Sequence, residues 1–96
     1  MSEPASCEGE FVVANELGLH ARPAGRFVAL AGRFASDVQV ARDLEWVSGL
    51  SVLSLLSLAA GQGTRLRIRA VGEDAERAVE ELGRLIETPG DPPPSA

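Results

Sequence analysis

The chain has 96 residues, 45% of them apolar and 24% charged, which suits one folded domain and argues against wholesale disorder. Its nine basic residues are all Arg and stand against fourteen acids, and the net charge of -5 argues against a generic nucleic-acid binder. A single Cys, Cys7, excludes an intrachain disulfide and the usual thiolate zinc site.

The two ends read as tails. Residues 1–8 are small and polar, a flexible N-terminal tail in which Cys7 is a free thiol without a role. Residues 88–96 (TPGDPPPSA) are Pro-rich, cannot continue a helix and read as a disordered C-terminal tail. The domain is therefore placed at residues 9–87. The first ten residues lack the apolar core of a signal peptide. The longest uncharged stretch, residues 46–64, is broken by Gly and Ser far short of a membrane span. These features predict a cytoplasmic protein without membrane insertion.

Residues 9–15 (GEFVVAN) read as a strand with Phe11 and Val13 on one face, and Gly18 signals a turn after it. From Ala21 to Phe34, the residues Ala24, Phe27, Val28, Ala31 and Phe34 recur at helical spacing. Pro23 fits only in a first turn, where its missing N–H has no helical partner, so the helix starts at or just after His20. Residues 37–42 alternate, with Val38 and Val40 opposed to Gln39 and Ala41. A tight turn at Asp43-Leu44 leads into a short strand at residues 45–48, with Trp46 on the outer side if Val47 faces inward. Residues 51–58 suit a short helix capped by Ser51. In residues 64–71, Leu66, Ile68 and Ala70 alternate with Arg65, Arg67 and Arg69, a solvated comb on a strand. Residues 73–87 form the clearest helix, with Ala75, Ala78, Val79, Leu82, Leu85 and Ile86 on one face and its acids early, as the helix dipole favours. The order βαββαβα predicts a two-layer α+β domain.

The chain has one His, and its setting is informative. His20 precedes a helix whose first N–H groups, from Ala21 and Arg22, favour an anion, and Arg22 adds a guanidinium. Residues 17–36 hold Arg22, Arg26 and Arg33 and no acid. Imidazole as a side-chain type has a neutral, nucleophilic form available near neutral pH. These parts describe either a nitrogen nucleophile beside a phosphate cradle or a plain anion-binding helix terminus. Neither needs a metal or a cofactor on this chain.

Residues 15–24 (NELGLHARPA) resemble the active-site signature of HPr, the histidine-containing phosphocarrier family of the bacterial phosphotransferase system. Weaker likenesses follow at Ser51-Val52-Leu53 with residues 55–59, at Gly63-Thr64, and at Gly72-Glu73-Asp74-Ala75, so that the resemblance spans residues 10–86. It implies an open-faced β-sandwich, four antiparallel strands with three helices on one face. It further implies that His20 takes a phosphoryl group on its δ1 nitrogen from phosphorylated enzyme I and passes it to enzyme II A-type acceptors of a sugar or nitrogen system. Ala21 and Arg22 would hold the phosphate. The protein would be a monomeric relay, not an enzyme acting on a small molecule.

Ser51 matches the regulatory serine of the family, phosphorylated in some bacteria by a dedicated serine kinase, and Leu50 stands where a basic residue is usual. Residues 50–58 are too apolar for a helix that buries one face. Leu55 and Leu58 are assigned inward, leaving Val52, Leu53 and Leu56 near the surface as a docking patch beside Arg26. In the family this surface receives enzyme I and the sugar-specific enzymes. Ala29, Gly32, Leu50 and Ser54 occupy positions where basic residues often ring it. The alternative function is a regulatory module that docks on kinases or transcription regulators and signals by phospho-His20 or phospho-Ser51, without sugar transport.

Overall fold

The computed structural model of the chain describes residues 5–90. The elements run β1 (Ser6–Val12), α1 (Ala21–Ala31), β2 (Asp37–Arg42), β3 (Glu45–Ser48), α2 (Val52–Ser57), β4 (Arg65–Val71) and α3 (Ala75–Glu87). All strand pairs are antiparallel, and the spatial order is β1-β4-β2-β3. Period-2 alternation separates the faces of this sheet. Val38, Val40, Leu66, Ile68 and Ala70 are buried against Ala24, Phe27, Leu55, Ala78 and Leu82 of the helices. The other face carries Glu8, Glu10, Gln39, Trp46 and the Arg comb. This is the open-faced sandwich expected from the chain.

Several boundaries differ from the pattern-based expectation. β1 begins at Ser6 rather than Gly9 and ends at Val12, so Ser6, Cys7 and Glu8 pair with Val71, Ala70 and Arg69. Cys7 is thus a half-buried strand residue packed against the core, not part of a tail. β4 opens at Arg65 instead of Thr64, whose N–H is drawn to Gly61 C=O at 3.1 Å. α1 ends at Ala31, three residues early, because Arg33 and Phe34 donate in shorter turns to Leu30 and Ala31. α3 begins at Ala75 rather than Glu73, because Asp74 is turned away from it. Its carboxylate accepts from Ala35 N–H (2.9 Å), Ser36 N–H (3.0 Å) and Ser36 Oγ (2.5 Å), tying the α1–β2 loop to the start of α3. The parts of the two predicted tails at residues 1–4 and 91–96 lie outside the described residues.

Elsewhere the sequence pattern holds. β2 and β3 have the expected limits, and Leu55 and Leu58 are buried. At the β2–β3 turn the left-handed conformation falls on Asp43 (φ 56°), which tolerates it, so Leu44 needs none. The Arg comb is more than a solvated face. Arg67 and Arg69 lie over the Trp46 ring at 5.0 and 4.2 Å, and Arg69 also donates to Gln39 Oε1 at 2.6 Å. Arg65 and Arg67 approach Glu10 and Glu8 at 3.6 and 3.9 Å. Trp46 therefore roofs Ala41, its cross-strand partner, which is fully buried.

Candidate functional site

His20 is the N-cap of α1, with extended backbone (φ -83°, ψ -173°), and its side chain is not used as a cap. The helical ladder begins with Ala24 N–H donating to His20 C=O at 3.0 Å. The amides of Ala21 and Arg22 precede that ladder, at the positive end of the helix, and Pro23 lacks only an N–H that would have had no helical partner there. Ala21 and Arg22 are exposed, whereas Pro23 and Ala24 are buried and hold the helix start on the core. The imidazole is half-buried. Its Nε2 has essentially no solvent-exposed surface, so the accessible part of the ring is its other atoms.

The loop before His20 is held by hydrogen bonds at four points. Asn15 is buried; its Oδ1 accepts Leu17 N–H at 2.9 Å, and its Nδ2 donates to Gly90 C=O at 2.9 Å. Gly18 N–H returns to Asn15 C=O at 2.9 Å, and Leu19 N–H donates to Ala60 C=O at 2.8 Å. Gly18 has φ 74°, and a Cβ there would lie 2.5 Å from Ala60 O. Glycine alone suits this crossing of two backbones.

Across from α1 stands α2. Ser51 is its N-cap and Ser51 Oγ accepts Ser54 N–H at 3.2 Å, as the spacing predicts. Of the three residues assigned to a docking patch, Leu53 is 80% exposed, while Val52 and Leu56 are half-buried against the core. The patch is thus thinner on α2 than residue type suggests, because the helix is short and sits deep. Arg26 is half-buried along α1. Leu17 and Leu50, 73% and 51% exposed, are surface leucines that hydropathy alone does not mark, since a loop has no periodic face. Arg42 is a further residue that pattern reasoning passes over. It reaches from the end of β2 to the carbonyls of Leu58 and Ala59 just after α2, and no local motif signals so distant a contact.

Among the described residues no group of three or more His, Cys, Asp or Glu side chains is placed to hold a metal ion. None of the described helices is long and apolar enough to cross a membrane. The family model described as the PTS HPr component phosphorylation site matches residues 7–88. The chain belongs to the HPr family. It is 44% identical over 78 residues to the phosphocarrier protein HPr of Pseudomonas aeruginosa, covering 80% of this chain and 87% of that one. Identity to the HPr-like protein Crh of Bacillus subtilis is 43% over 70 residues, 73% of this chain and 82% of the relative. The crystal structure of an HPr from Bacillus anthracis superposes with a TM-score of 0.81 at 36% identity, over 85% of this chain and 98% of that one. As an HPr, the chain is a phosphocarrier-type component of the phosphotransferase system, and its fold is the HPr sandwich.

Proposed function

We propose that His20 takes a phosphoryl group from phosphorylated enzyme I and passes it to an enzyme II A-type acceptor. The observation that carries this reading is the seat of the ring. His20 stands at the positive end of an eleven-residue helix, with its side chain uncommitted to capping and Nε2 turned into the protein. The attacking nitrogen in this reading is Nδ1, the one that the likeness to the HPr signature implies. A P–N bond forms at Nδ1 as the bond from phosphorus to the donor on enzyme I breaks, and the reverse exchange delivers the group to the acceptor. The amides of Ala21 and Arg22 and the Arg22 guanidinium offset the phosphate charge. The partners supply the in-line geometry, so this chain acts as a relay and not as a catalyst for a small molecule.

Incubation with enzyme I and phosphoenolpyruvate tests the reading. The wild-type chain is expected to gain an acid-labile adduct that His20→Ala lacks. An adduct found only on Ser overturns it.

The likeness to Crh, the catabolite repression HPr of Bacillus subtilis, at 38% identity favours a second reading, a regulatory module that signals through phospho-His20 or phospho-Ser51. Phosphate on Ser51 would place an anion on the α2 amides that Ser51 Oγ now serves, and would add charge beside Leu53. Co-purification separates the two: membrane permease components support transport, and cytosolic regulators alone support signalling.

A further inference from the structure

Arg42 closes β2, and its Nη1 donates to Leu58 O at 3.0 Å and to Ala59 O at 2.8 Å. Those carbonyls belong to the C-cap of α2 and to the residue after it. Leu58 is the C-cap, and Ala59 after it has φ 51°, a region that a residue with a Cβ occupies only when its surroundings hold it there. A guanidinium on orphan carbonyls at the negative end of a helix is such a hold. The next residue, Ala60, is buried, and its carbonyl accepts the Leu19 N–H at 2.8 Å. Leu19 adjoins His20, and the fit between Gly18 and Ala60 O leaves little room for drift. A short series of contacts thus connects a charge on the far hairpin to the backbone that seats the imidazole.

We propose that Arg42 is a positioning residue for phosphoryl transfer at His20, acting by holding the left-handed turn at Ala59 that presents Ala60 O to the Leu19 amide. This rests on the reading of His20 as the phosphorylated residue. Without the guanidinium, Ala59 relaxes toward negative φ, the Ala60 carbonyl turns away, and the His20 backbone loosens. Transfer depends on the orientation of one ring nitrogen, so the rate falls although no group touching phosphate is removed.

The test uses Arg42→Met, Arg42→Lys, and Arg42→Met combined with Ala59→Gly. Amide hydrogen exchange is read at Leu19 against Ile68, which lies in the centre of the sheet. Single-turnover transfer from phosphorylated enzyme I is separated into the rate at saturation and the half-saturating concentration. Arg42→Met is expected to speed exchange at Leu19 about tenfold relative to Ile68. The saturating rate should fall roughly three- to tenfold while the half-saturating concentration stays within about twofold. Lys restores part of both effects. Gly at position 59, which adopts φ 51° without strain, restores most of both in the double variant. Equal acceleration at Leu19 and Ile68, or an unchanged saturating rate in Arg42→Met, overturns the proposal while phosphorylation of the wild type stands. A wild-type chain that takes no phosphoryl group on His20 overturns the phosphocarrier reading, and this proposal with it.

Discussion

The ring of Phe11 in β1 rests on Gly83 of α3, in the space that a Cβ at Gly83 would occupy. Gly9 borders the same ring: a Cβ there would lie 2.9 Å from Phe11 Cε2 and 3.1 Å from Val79 Cγ1. Two glycines therefore let the edge strand and the last helix close on one aromatic side chain. Gly83→Ala sets two effects against each other. Helix propensity gains about 1 kcal/mol, whereas the methyl must displace a ring already packed on the core, which costs roughly 1–3 kcal/mol. Net destabilisation is expected, read as a lower denaturant midpoint at unchanged slope. Phe11→Leu in the Gly83→Ala background should recover part of the loss. A midpoint that rises in Gly83→Ala alone counts against the contact.

Asp74 gives the fold an acid limb. The Ser36 hydroxyl first, and then the Ala35 amide, hold its carboxyl below the ordinary carboxylate value of 3.8. A depressed folded-state pKa contributes stability that is fully present above the unfolded value and disappears as pH falls through the folded one. Asp74→Asn should therefore differ most from wild type near neutral pH, and the two stability curves should converge below about pH 4. Thermal melts between pH 2 and 7 measure this, and parallel curves throughout would show that the carboxylate contributes nothing.

Most of the fold was legible because its core elements have strong periods. Leu66, Ile68 and Ala70 against three Arg define a half-solvated strand, and the apolar stripe of α3 defines a helix. His20 was legible for another reason: only one His exists, beside a helix start marked by Pro23. What the pattern missed depends on contacts distant in sequence. Asp74 leaves its own helix for Ser36, 38 residues away, and Arg42 leaves its strand for Leu58, 16 residues away. Propensity registers neither. The start of β1 was obscured because Ser6, Cys7 and Glu8 show no apolar alternation and Glu is a weak strand former, and pairing with Val71, Ala70 and Arg69 overrides that weakness. Val52 and Leu56 sit deeper than the surface patch expected of them because the burial of a six-residue helix is set by its neighbours and not by its own stripe.

Ala59 offers a stabilising change. Its φ of 51° disfavours a Cβ by about 1–2 kcal/mol, while Gly adds roughly 0.5–1 kcal/mol of backbone entropy to the unfolded chain. Ala59→Gly should therefore raise stability by about 0.5 kcal/mol, seen as a small increase in Tm. A decrease would mean that the methyl group makes packing contacts worth more than the strain it imposes.

Arg22 tests the cradle itself. Its side chain is exposed in the first turn of α1, so Arg22→Ala should leave the fold intact. Loss of a charge-assisted hydrogen bond removes about 1.5–3 kcal/mol from the charged states. If that bond acts mainly in the transition state, transfer slows roughly ten- to a hundredfold. Arg22→Lys should recover only part, because an ammonium cannot reproduce the planar fork. Arg26 is one turn along and half-buried. Its replacement by Ala should act more weakly on the transfer rate and reduce the salt dependence of docking, as expected of a charge that steers a partner. Single-turnover transfer from phosphorylated enzyme I, with circular dichroism to verify the fold, provides the measurement. A wild-type rate in Arg22→Ala would mean that the phosphate on His20 is held by helix amides and partner groups without the guanidinium.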